Sequence, residues 1–138
     1  MTPDEKLAEV VTALESVGIR SLVMGGHAVR YYGLSRMTDD FDLHLASDCW
    51  DDLSERMGRS DWLRARNPVE LPSWRKTTFR RFQIGTLPSG REELLEFWKE
   101  NHLLPPFDEL HKRRESGQYG GRVVDFLSLA DLIHAKET

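Results

Sequence analysis

Two aspartates spaced by one residue, Asp40 and Asp42, lie in the run Asp40-Phe41-Asp42-Leu43-His44-Leu45. In a strand, alternate side chains leave on the same face, so the two carboxylates stand together with their bases about 7 Å apart. His44 shares that face, while Phe41, Leu43 and Leu45 take the other. Like charges held that close raise each other's proton affinity unless a cation sits between them. Carboxylate, water and phosphate oxygens are the ligands that Mg²⁺ prefers. The pair therefore reads as a site for Mg²⁺ or Mn²⁺ that works on a phosphorylated substrate. Upstream, Gly25-Gly26 follows the apolar run Leu22-Val23-Met24 and precedes a helical segment. Residues without a side chain let backbone N–H groups come close to a phosphate, and a helix start favours an anion. A phosphate cradle followed by metal-binding carboxylates is the equipment of phosphoryl transfer.

The elements that must position these groups can be read in order. Thr2 caps a helix, Pro3 suits its first turn and Glu5 completes a capping box. Leu7, Val10, Val11, Leu14 and Val17 follow at helical spacing until Gly18. Ile19 to Met24 reads as a buried strand, His27 to Tyr32 as a short helix closed by Gly33, and Asp40 to Ala46 as a strand. Asp48 is expected to cap a helix carrying Trp50, Leu53 and Met57 and ending at Gly58. Ser60 to Ser73, with Pro68 and Pro72, is expected to be mostly loop. Thr77 to Thr86 and Leu94 to Trp98 form a hairpin about Pro88-Ser89-Gly90. Beyond Leu104-Pro105-Pro106, the expectation is a charged helix from Phe107 to Glu115, a loop from Gly117 to Gly121 and a strand from Val123 to Leu127. Ser128, with Asp131 three residues on, opens a last helix through Leu129, Leu132, Ile133 and Lys136. Strands mixed with helices, a hairpin and no regular βαβ series indicate an α/β or α+β domain, with one small mixed sheet flanked by helices over residues 1–138.

The chain has 138 residues and a net charge of −4, so it is long enough to bury a core and exerts no global pull on nucleic acid. The basic clusters Arg75, Lys76, Arg80, Arg81 and Lys112, Arg113, Arg114 read as solvated faces. Trp50, Trp62, Trp74 and Trp98 read as packing residues. Cys49 is the single cysteine, which leaves no internal disulfide and no cysteine-based zinc site. No apolar run has membrane-spanning length and no signal-peptide pattern opens the chain, so the cytoplasm is the expected compartment.

Met24-Gly25-Gly26, thirteen residues, then Asp40-Phe41-Asp42-Leu43 resembles the signature of the nucleotidyltransferase superfamily, the polymerase-beta-like fold. The fuller string GGHAVRYYGLSRMTDDFDL is similar to the minimal nucleotidyltransferases of bacterial toxin–antitoxin systems and to small antibiotic nucleotidyltransferases. The matching positions are Gly25, Gly26, Ala28, Gly33, Arg36, Thr38, Asp40 and Asp42. Val123-Val124 followed by Ser128-Leu129-Ala130-Asp131-Leu132-Ile133 and Lys136 resembles the second block of the same group.

The resemblance implies a nucleotidyltransferase fold and an enzyme that moves a nucleoside monophosphate from an NTP to a hydroxyl or amine of a protein, a tRNA or a small molecule. By position, Gly25 and Gly26 would cradle the nucleotide phosphates, and Asp40 and Asp42 would bind Mg²⁺. Arg36, Thr38 and Lys136 would approach the nucleotide. The family's third acid, on a neighbouring strand, takes the acceptor's proton and touches metal. Glu93 and Glu96 are the candidates. Glu96 is favoured because Leu94-Leu95-Glu96-Phe97-Trp98 surrounds it with apolar residues, where an acid does not serve solubility. Glu93 sits near the turn in a polar setting. An antitoxin partner is a further implication. Members of the group usually continue past the equivalent of Lys136, so the domain is expected to lack the family's C-terminal helices. The competing reading is a catalytically silent nucleotide- or partner-binding module on the same fold, although such a module has no need of the Asp40/Asp42 pair.

Overall fold

A computed structural model of the protein describes residues 1–34, 40–101 and 103–136, the side chain of Lys136 excepted. The first helix, α1 (Pro3–Ser16), starts as its sequence requires. Thr2 Oγ1 accepts from the Glu5 N–H at 3.1 Å, and Glu5 Oε1 accepts from the Thr2 N–H at 2.9 Å. Its apolar stripe Leu7, Val10, Val11 and Leu14 is buried in the core. The chain then enters β1 (Ser21–Met24) and passes directly into α2 (Gly25–Tyr31), so this helix begins at the glycine pair rather than at His27.

Among the described residues, seven strands form one mixed sheet in the order β3-β4-β5-β2-β1-β7-β6. The strands not yet placed are β2 (Phe41–Leu45), β3 (Asn67–Pro68), β4 (Phe79–Thr86), β5 (Glu92–Trp98), β6 (Glu115–Tyr119) and β7 (Arg122–Phe126). At the centre, β2 runs antiparallel to β1 and parallel to β5. Phe41, Leu43, Leu95 and Phe97 take one face of this centre and are almost wholly buried. Their neighbours along the strands, Asp42, His44, Glu96 and Trp98, take the other face by the twofold alternation of a strand.

The expected β4–β5 hairpin forms, and β5 begins earlier than the apolar run suggests, at Glu92. Between β2 and β4 the chain makes a short 3₁₀ turn, then α3 (Leu53–Met57) and α4 (Asp61–Arg64). The segment expected to be mostly loop thus contains a helix, capped by Ser60, whose Oγ accepts from the Leu63 N–H at 3.2 Å. Asp48 caps no α-helix; it lies within the 3₁₀ turn.

The largest correction concerns the region after the Pro105-Pro106 break. Helix α5 (Phe107–Lys112) stops before Arg113, and the stretch expected to be helix end and loop is strand β6, paired with β7. Gly120 and Gly121 make the tight connection, with φ of 61° and 92°. Two consecutive residues at positive φ suit a two-residue hairpin turn, whose twist matches that of the strands. A side chain at Gly120 would also meet the Asp4 carbonyl oxygen at 2.0 Å, so α1 packs against this turn.

The final helix, α6 (Leu129–Lys136), opens as expected, with Ser128 Oγ accepting from the Asp131 N–H at 3.1 Å. Among the described residues, no helix is long and apolar enough to cross a membrane.

Candidate active site

The site begins with strand register. In the parallel pair β2–β5, Asp42 stands opposite Glu96. In the antiparallel pair β4–β5, Glu96 stands opposite Arg81. Neighbouring strands lie about 4.8 Å apart, so Arg81, Glu96 and Asp42 form one cross-strand row on one face. Arg81 closes the row with a fork onto one oxygen: its Nε and Nη2 donate to Glu96 Oε2 at 3.1 and 2.9 Å. Asp40 precedes β2 and receives Arg91 Nη2 at 3.3 Å on its Oδ2.

Asp42 lies between these charges. Its pKa is pushed up to about 7, first by burial, then by the Glu96 carboxylate, then by that of Asp40. The nearby Trp98 indole N–H works in the opposite direction. A carboxyl with two carboxylate neighbours and little water is short of positive charge.

The glycine pair abuts this row. Met24 pairs with Asp42 across β1–β2, which sets Gly25 beside that carboxylate. Gly25 has a φ of 66°. A Cβ there would lie 2.3 Å from Asp42 Oδ2, so the residue must be glycine both for its backbone and for the approach of Asp42. Gly26 is buried in the first turn of α2.

The remaining expected site residues fall as follows. Glu93 pairs with Lys6 of α1 and is thereby tied to the helix, whereas Glu96 adjoins Asp42. Arg36 and Thr38 lie outside the described residues, as does the side chain of Lys136, whose backbone ends α6. His44, which shares a face with Asp42, is buried against Phe107 with ring centroids 5.8 Å apart, and burial lowers its pKa. His27, directly after the glycines, stacks on Phe41 at 5.0 Å, and its Nδ1 lies 2.7 Å from the Tyr119 hydroxyl. Burial lowers its pKa to about 4, so it is a neutral packing residue at pH 7.

Arg81 and Trp98, a solvated-face and a packing residue by their sequence setting, both adjoin the carboxylates: Arg81 stands opposite Glu96, and Trp98 lies two residues along the same strand. The signal for Arg81 was available: it and Glu96 are equidistant from Pro88-Ser89, the turn of their hairpin.

The donor set can be tested against the cation that the sequence implies. Among the described residues, no three acidic, histidine or cysteine side chains enclose a metal ion by themselves. The oxygens of Asp40 and Asp42, with Glu96 next to them, fit a hard cation that completes its shell with water and phosphate oxygens. The raised pKa of Asp42 is consistent with that fit, since a bound cation relieves the crowding that causes it.

No protein-family model matches the sequence, and no curated protein matches it. Solved structures do match. The lincosamide antibiotic adenylyltransferase LnuA, bound to lincomycin, superposes with a TM-score of 0.63 at 11% identity, over 96% of this chain and 84% of that one. A Thermotoga maritima protein assigned to the nucleotidyltransferases superposes at 0.59 with 13% identity, over 98% and 84%. An antigenic nucleotidyltransferase-like protein from Paracoccidioides brasiliensis superposes at 0.55 with 19% identity, over 92% of this chain and 62% of its own. The chain has the nucleotidyltransferase fold.

Proposed function

We propose that the protein is a nucleotidyltransferase that moves a nucleoside monophosphate from an NTP to a hydroxyl or amine and releases pyrophosphate. The observation that carries this reading is the row Arg81–Glu96–Asp42 beside Gly25, with Asp40 at its edge. It gathers three carboxylates around a close-approach backbone, on a fold shared with nucleotidyltransferases.

Asp40 and Asp42 would hold Mg²⁺ or Mn²⁺, with Glu96 next to them. When bound, the cation neutralises developing charge on the phosphoryl oxygens. The chain's own groups carry the rest. Gly25 and Gly26 offer backbone to the triphosphate, and Gly25 leaves room for the Asp42 carboxylate. Arg91 adds positive charge at Asp40. Arg36, Thr38 and Lys136 complete the nucleotide contacts implied by the sequence. Glu96 is the base that takes the acceptor's proton; the Arg81 fork fixes its orientation by holding Oε2 alone. The compartment that goes with this reading is the cytoplasm. A role in a toxin–antitoxin pair would use the same chemistry, with an antitoxin as partner. A silent binding module would have no use for the uncompensated Asp42, which favours the enzyme.

Calorimetry with non-hydrolysable NTPs in Mg²⁺ tests the cradle. Gly25→Ala should weaken affinity at least tenfold, because its Cβ displaces Asp42 and crowds the phosphates. Unchanged affinity would put the phosphates elsewhere.

A further inference from the structure

Arg80 and Arg81 follow one another on β4, so their side chains leave on opposite faces of the sheet. Arg81 takes the face of the carboxylates and is held by Glu96. Arg80 pairs with Phe97 across β4–β5 and takes the core face, where it is half-buried. There its guanidinium lies over the ring of Trp50, 4.9 Å from the centroid. Trp50 itself is buried, and its indole N–H donates to the Lys76 carbonyl oxygen at 3.1 Å. One indole thus fixes two basic residues of different elements: Arg80 through its ring, and the backbone of Lys76 through its N–H. Lys76 belongs to a 3₁₀ turn (Arg75–Thr77), and Ser54 lies in the first turn of α3. Arg80, Lys76 and Ser54 line a cavity of about 280 Å³, whose other walls include Pro68, Leu71 and Phe82.

The positive charge at this cavity is not neutralised. Among the described residues, the Arg80 guanidinium forms no ion pair and donates no hydrogen bond, whereas Arg81 has Glu96 and Arg113 has Asp131. Burial lowers the pKa of Arg80, and the Asp51 carboxylate offsets this in part without pairing with it. A guanidinium carries five N–H donors, and withdrawing them from water without acceptors is unfavourable. Lys76 pairs with Glu70 at 3.3 Å, but the Glu70 side chain is 90% exposed, and so open a pair competes weakly with an anion. In sequence these cations read as a solvated face; in the fold two of them gather about a buried indole, with a hydroxyl beside them.

The donors say which anion fits. They are a planar fork, an ammonium and a hydroxyl, contributed by three separate elements. A phosphate monoester has three free oxygens, one for each donor, whereas a carboxylate has two. Pro68, Leu71 and Phe82 add an apolar wall for the organic part of an ester. The volume lies just under the range of drug-sized pockets, which suits a phosphate with a small body.

We propose that Arg80, Lys76 and Ser54 form a binding site for a small phosphate, free or as a monoester, on the sheet face opposite Asp42 and Glu96. The site makes no use of Gly25, Gly26 or the carboxylates, so it stands apart from the nucleotidyl-transfer reading.

The test uses the whole chain without divalent metal, at constant ionic strength. It reads the NMR resonance of the Trp50 indole N–H, identified by its loss in Trp50→Phe. Inorganic phosphate, phenyl phosphate and benzoate are titrated separately. In the wild type both phosphates should shift this resonance saturably and bind more tightly than benzoate. Tighter binding of phenyl phosphate than of inorganic phosphate identifies a monoester as the ligand; equal or weaker binding identifies free phosphate. Arg80→Met keeps an unbranched side chain over Trp50 without its donors, and should weaken both phosphates about tenfold. Lys76→Met, at a more exposed position, should weaken them about threefold, and it decides the matter if Arg80→Met does not fold. Calorimetric affinity for a non-hydrolysable NTP in Mg²⁺ should be unchanged in both variants. The proposal is overturned if neither phosphate shifts the resonance saturably in the wild type, if benzoate binds as tightly, or if phosphate affinity survives in the folded variants. A loss of NTP affinity in either variant would make the cavity part of the nucleotide site and overturn it as well.

Discussion

Replacing Asp42 with asparagine is expected to cut nucleotidyl transfer about a thousandfold or more, the scale on which groups that stabilise transition-state charge act. The same change should make the metal-free protein more stable at pH 8. The sign follows from the direction of the shift. Asp42 has a pKa of about 7 in the fold, above the ordinary carboxylate value. Between about pH 4 and pH 7 the folded state holds a proton that the unfolded state has released, so stability falls as pH rises through that window and levels off above it. Asparagine cannot titrate and escapes that loss. Urea unfolding at pH 4.5, 6 and 8 should show the variant's advantage at pH 8 shrinking toward pH 4.5. His27, whose pKa is lowered to about 4, acts the other way: its contribution is lost as pH falls from about 6.5. Because both proteins contain His27, the difference between them cancels it. An asparagine variant less stable than wild type at pH 8 without metal would contradict the crowding of carboxylates at Asp42.

The second large effect is stabilisation by a divalent cation. Anything that binds the folded state alone stabilises it by mass action, about 2.7 kcal/mol at a hundredfold excess over Kd. For a domain of this size that is a rise in Tm of roughly 8 °C. Mg²⁺ or Mn²⁺ should produce such a rise in the wild type and none in the Asp40→Ala, Asp42→Ala double variant. The rise should also be larger at pH 8 than at pH 5, because at pH 5 Asp42 holds a proton that the cation must displace. Equal rises in both proteins in a thermal-shift titration would remove the metal from the account.

What was legible in the sequence was mostly local. Thr2 and Glu5 announced α1 through a capping box spanning four residues. The alternation of Asp40 to Leu45 announced β2 and its two faces. The apolar flanks of Glu96 singled it out over Glu93, and strand register sets it beside Asp42. The misses came from two sources. Strand β6 carries Glu115, Ser116 and Gln118 at exposed positions of an edge, so no apolar alternation marks it. The positive φ of Gly120 and Gly121, which makes its hairpin, looked like ordinary loop glycine. The second source is long-range pairing. Trp98 comes near Asp42 because β5 runs parallel to β2 across a long connection, and nothing local to either strand states that register.

The central claim, transfer of a nucleoside monophosphate at the Asp40–Asp42–Glu96 carboxylates, is tested most directly by following the label of each phosphate. The protein, Mg²⁺ and a small-molecule extract are incubated with each NTP labelled on the α- or on the γ-phosphate, and products are separated by chromatography and mass. The account predicts that α-label appears on an acceptor, in step with release of γ-labelled pyrophosphate, and that Asp42→Asn abolishes both. Transfer of γ-label to the acceptor, or α-label transfer that persists undiminished in the Asp42→Asn protein, would contradict it.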